Sequence, residues 1–131
     1  MKKRIEYSII EEFKKDFKGL EKKFKTLEKD FELMKKMLLE PHFLNNLPTP
    51  PKALVDIEGF CSENYQSKKI IKFACASLKG RGGNSGIRVI FVYEKEKEVH
   101  KITFIEIYFK GDKELENKER LKEFLKTLDN D

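Results

Sequence analysis

From Asn64 to Tyr93 the chain has no acidic residue, although 23 Asp and Glu in 131 positions would put about five in any window of thirty. The same window carries Lys68, Lys69, Lys72, Lys79, Arg81 and Arg88. Setting those six aside leaves 22 cations against 23 acids, so the whole of the net charge of +5 belongs to this one segment. A run of one sign without compensation attracts polyanions, and in a cytoplasm the commonest polyanion is nucleic acid. A solvated basic surface without a ligand would explain the enrichment in bases but not the exclusion of acids.

Other scarcities narrow the field. No stretch approaches the eighteen apolar residues of a membrane span, and the opening "MKKRIEYSII" lacks the apolar region and small-residue cleavage site of a signal peptide, which predicts a cytoplasmic protein with no membrane partner. Only two cysteines occur, Cys61 and Cys75, and without a secretory signal they read as reduced thiols, Cys75 in the core. The two histidines, His42 beside a proline and His100 beside a charged turn, read as surface residues. His, Cys and acids show no ligand spacing, so neither metal nor cofactor is expected. What the chain does have is eleven phenylalanines, enough for one folded domain over residues 1–131.

Periodicity gives an α+β reading. "RIEYSII" alternates Ile5, Tyr7 and Ile9 with polar neighbours, as a half-buried first strand does. Phe13, Phe17, Leu20, Phe24, Leu27, Phe31, Met34 and Leu38 then recur at spacings of three and four, an amphipathic helical stripe. Thr26 before Glu28 and Asp30 reads as an N-cap, which breaks the stripe near Lys25 into a helical hairpin. All four prolines lie in "EPHFLNNLPTPPK", where they are expected to end the helical region. Residues 41–66 thus read as an insertion or a long surface connection.

Strands follow. "KKIIKFACA" alternates Ile71, Phe73 and Cys75 with Ile70, Lys72 and Ala74; "GIRVIFVYE" is apolar on both faces, as in a central strand. In "VHKITFIEIYFK", Ile102, Phe104, Glu106, Tyr108 and Lys110 share one parity. Leu121, Phe124, Leu125 and Leu128 mark a closing helix, with Asp112 as its cap. The expected order is an N-terminal strand, a helical hairpin, an antiparallel β-meander of at least three strands and a C-terminal helix.

Four of the seven glycines fall in "LKGRGGNSGIRVIFVY". The segment joins strand to strand and has neither the P-loop spacing nor that of a dinucleotide fingerprint, so a nucleotide cradle is excluded. What remains is a loop that lets the backbone approach a ligand, with Lys79 and Arg81 on it and Arg88 held by the next strand.

Taken in order, the first strand, "FKKDFKGLEKKFKTLEKDF", "SLKGRGGNSGIRVIFVY", "ITFIEIYFKGDKE" and the closing helix resemble the RelE/ParE superfamily of toxins from type II toxin-antitoxin modules, nearest its RelE and HigB branches. "SGIR" is the most specific part. The resemblance implies a RelE-like fold and ribosome-dependent cleavage of messenger RNA, with ribosome, message and a cognate antitoxin as partners. It matches Arg88 to the arginine set against the scissile phosphate. It matches Lys72, Lys79 and Arg81 to basic residues of the preceding strand and loop, and Lys110 and Lys113 to cations after the last strand. The catalytic set it implies is Arg88, Lys72 and Lys110; Lys68, Lys69, Lys79, Arg81 and Lys113 would contact RNA. The chain departs from the RelE branch in having "ENKER" where that branch carries a tyrosine, and no histidine stands in "YFKGDK".

The chemistry asks for three things. Attack of a ribose 2′-hydroxyl on the adjacent phosphate needs stabilised phosphorane charge, a base and an acid. Arg88 suits the first, because a guanidinium pairs two phosphate oxygens. A lysine serves as base only if neighbouring cations and burial lower its pKa; Tyr93, Glu106, Tyr108 and Asp112 are the other candidates, each with a structural use. Two further classes stay open: a gyrase poison like the ParE branch, and a non-catalytic RNA-binding module.

Overall fold

A computed structural model describes residues 4–78 and 85–129. Strand β1 (Arg4–Ile9) leads into α1 (Glu11–Lys23), α2 (Leu27–Met34), a π-helical turn (Lys35–Leu39) and α3 (Glu40–Asn45). Strands β2 (Leu54–Cys61), β3 (Gln66–Ile70), β4 (Ile87–Glu96) and β5 (Val99–Phe109) follow, and α4 (Lys118–Asp129) closes the order. The five strands form one mixed sheet in the order β1-β5-β4-β3-β2. The pairings from β2 through β5 are antiparallel, whereas β1 lies parallel to β5, Tyr7 opposite Ile102. The architecture is therefore α+β. Among the described residues no helix is long and apolar enough to cross a membrane.

The central strand decides the layering. Because β4 is apolar on both faces, each face needs a cover. Ile87, Val89 and Phe91 pack with Phe13, Phe24, Leu27, Phe31 and Met34 beneath the N-terminal helices, with Phe17, Leu20 and Leu38 at the margin. Ile90 and Val92 pack beneath α4 with Leu121 and Leu125, with Phe124 and Leu128 alongside. Ring contacts of Phe31 with Phe13 at 5.7 Å and with Phe17 at 5.5 Å hold α1 beside α2 as the expected hairpin. Its break falls where expected, with Phe24 capping α1 and Thr26 preceding α2. The Thr26 hydroxyl does not cap: it donates to Asp30 Oδ2 at 2.7 Å and accepts from the Ser77 N–H at 2.9 Å.

Four expectations are corrected. The prolines do not end the helical region at Pro41. The Glu40 N–H reaches back five residues to the Lys35 carbonyl, and this wide turn seats the ring-closed nitrogen of Pro41 in the first turn of α3, so helix continues to Asn45. Residues 41–66 are no surface connection either, since Phe43, Ala53 and Ile57 are buried and β2 adds a fifth strand. The "KKIIKFACA" strand starts earlier and stops at Ile70, with Ile70, Phe73 and Cys75 buried and Ile71 not, so its alternation slips after Ile70. Finally, His100 is 5% exposed rather than a surface residue, its Nδ1 2.7 Å from the Tyr93 hydroxyl beneath the Phe43 ring.

The parity of β5 changes for a reason that matters to the site. Phe91 pairs with Phe104 while Ile90 pairs with Glu106, which leaves Ile105 as a bulge. Residues beyond it are turned over, so Ile107 joins the helical-hairpin core and Tyr108 the α4 core. An ion pair pins the bulge. Arg120 of α4 donates to Asp16 of α1 at 2.5 Å and to the Ile105 carbonyl at 3.1 Å, and the Ile107 N–H donates to the same Asp16 carboxylate at 3.4 Å. Arg120→Ala would leave a half-buried carboxylate without its cation and a bulge carbonyl without its donor. It is expected to cost about 2 kcal/mol in urea unfolding, and a cost within error of zero would mean that the bulge is held by strand pairing alone.

Candidate functional site

The start of β4 explains the "SGIR" motif physically. Ser85 is fully buried, donates its hydroxyl to the Phe73 carbonyl and accepts from the Ile87 N–H at 3.1 Å. Gly86 has φ +89°, and a Cβ there would stand 3.3 Å from the Phe109 ring. Only glycine takes that backbone without strain. Gly86→Ala is therefore expected to lower stability by about 1–2 kcal/mol in chemical denaturation, and an unchanged midpoint would contradict the strain. Ile87 enters the core, and Arg88 comes next on the opposite face.

Arg88 is half-buried, pairs in register with Tyr108, and donates from Nη1 to the Ile71 carbonyl at 2.7 Å. That bond uses one arm of the fork. Among the described residues no carboxylate lies within ion-pair distance of its guanidinium. Beside it, burial first and then the charges of Glu116 and Glu106 push the Tyr108 phenol up to about 12, Arg88 pulling the other way. At neutral pH Tyr108 is thus a hydrogen-bond donor and not a base.

The remaining groups on this face come from β3, β5 and the segment before α4. Glu106, 2% exposed, accepts from the Asn117 N–H at 2.7 Å and forms an ion pair with Lys113. Lys113 Nζ also stands 5.5 Å from the centre of the Tyr108 ring. Lys69 donates to Glu116 Oε2 at 3.0 Å. Burial raises the Glu116 carboxyl, but its own backbone N–H and the Lys69 ammonium outweigh that, and its pKa settles below the ordinary carboxylate value. The site is a phenol and a guanidinium with two cation-carboxylate pairs beside them.

The structure brings Arg88, Lys69 and Lys113 to this α4 face and disperses the other expected residues. Lys68 pairs with Asp56 of β2 at 2.6 Å. Lys72 is exposed and lines a cleft with Met34, Met37 and Ala53 on the α2 side, across the sheet from Arg88. Lys110 is exposed just past β5, its N–H on the Gly86 carbonyl at 2.8 Å. Lys79 and Arg81 lie outside the described residues. Asp112 does not cap α4: it pairs with Lys23 at 3.2 Å, and Asn117 caps instead, its Oδ1 accepting from the Arg120 N–H at 3.0 Å. Asn117 ahead of "KERL" was readable as a cap; no periodicity signals Glu116.

The acid-free window is thus acid-free in sequence only. Asp56 and Glu116 fold back onto two of its six cations. Both cysteines are free thiols, and among the described residues no three His, Cys, Asp or Glu side chains converge as metal ligands would. No family model, curated protein or solved structure matches the chain.

Proposed function

We propose that the chain is an endoribonuclease of the RelE-like toxin kind, which cleaves messenger RNA on the ribosome through attack of a ribose 2′-hydroxyl and is neutralised by an antitoxin made with it. The order of β1, helical hairpin, antiparallel meander and closing helix supports the fold part of this reading. One observation carries the chemical part: Arg88 is held by the central strand with one arm anchored on a carbonyl and, among the described residues, no acid within ion-pair distance. A guanidinium so placed meets a phosphorane without first reorganising. Lys110, just past β5, and Lys79 and Arg81 of "KGRG" would track the flanking backbone.

A non-catalytic RNA-binding module is the second reading. It is favoured by the Tyr108 phenol, whose raised pKa unsuits it as a base. Mapping message 5′ ends after induced expression separates the two. New ends clustered within codons support the nuclease; growth arrest without new ends sinks it, and arrest with broken chromosomal DNA would favour a gyrase poison.

A further inference from the structure

We propose that Lys69, Tyr108 and Arg88 form a phosphodiester-binding site in which the carboxylate of Glu116 stands in for the ligand, so that Glu116 competes within the molecule against the nucleic-acid backbone. The inference rests on the reading that this face meets RNA.

The placement of Glu116 motivates it. Residues 110–115 and Asn117 are exposed, yet the Glu116 side chain is 6% exposed and turned onto the sheet. Its Oε2 accepts from Lys69 at 3.0 Å, and its negative charge acts on the Tyr108 phenol. Next to it Glu106 ties the segment between β5 and α4 down through the Asn117 N–H and Lys113. A carboxylate and a phosphodiester each carry one negative charge shared by two terminal oxygens and take the same donors. The exchange is not symmetrical, because Arg88 pairs in register with Tyr108 and, among the described residues, has no carboxylate within ion-pair distance. A phosphate that displaced Glu116 would keep the ammonium and the phenol and gain the guanidinium.

The test uses the full chain and a labelled 2′-O-methyl oligoribonucleotide, which has no hydroxyl for attack, with anisotropy read across a salt series. Glu116→Gln keeps the shape and frees the ammonium, and it should bind about tenfold more tightly. It should also steepen the log–log salt slope by about 0.7, as one further phosphate contact does. Lys69→Ala placed on Glu116→Gln should remove both gains. Glu114→Gln, an exposed acid two residues away, should change neither. Equal or weaker binding by Glu116→Gln, an equal gain in Glu114→Gln, or no binding by any chain overturns the inference. Tighter binding by Glu116→Gln without message cleavage leaves it standing and removes the nuclease reading; cleavage with unchanged binding does the reverse.

Discussion

Arg88→Ala is expected to lower message cleavage by about 10²–10³-fold while the protein stays folded. The loss follows from geometry: the guanidinium is carried by the central strand beside Tyr108, and it is oriented by the Ile71 carbonyl before any ligand arrives. The folded state loses one hydrogen bond to a half-buried group, about 1 kcal/mol. Arg88→Lys should recover little, because an ammonium that reaches the Ile71 carbonyl has no second arm for phosphate. A variant that cleaved within threefold of wild type would remove Arg88 from the chemistry. One that failed to fold would show instead that Arg88 serves the sheet.

Phe104→Ala is expected to cost about 3–5 kcal/mol, the largest single effect on stability. Phe104 is fully buried on β5, where its ring meets those of Phe31 at 4.8 Å, Phe13 at 5.6 Å, Tyr7 at 5.8 Å and Phe91 at 6.1 Å. It touches β1, α1, α2 and β4 at once, so the cavity cannot collapse from one side. Urea unfolding measures the cost. A loss below about 1 kcal/mol would mean that the aromatic cluster repacks, unlike a close-packed interior.

Much of the scaffold was legible because its signals are local. The Phe13 to Leu38 stripe, the two apolar faces of β4 and the Leu121 to Leu128 repeat each report one element's burial, and the core uses all three. What escaped was decided by partners distant in sequence. A bulge at Ile105 turned Glu106 and Tyr108 toward α4, and no period-two count anticipates a residue left out of the ladder. The proline-rich segment does not show where helix ends, because the wide turn that accommodates Pro41 depends on backbone, not on composition. The candidate site fared likewise. Arg88 was legible from its strand, but Lys68 and Lys69 read as free cations because Asp56 and Glu116 lie outside residues 64–93.

The most direct test is cleavage by the purified chain of a message held on translating ribosomes, with Arg88→Ala run beside it and product ends mapped at single-nucleotide resolution. The account predicts ends within the codon at the ribosomal A site for the wild-type chain and none above background for Arg88→Ala. Uncut message with the wild-type chain, or the same ends at the same rate with Arg88→Ala, would contradict it.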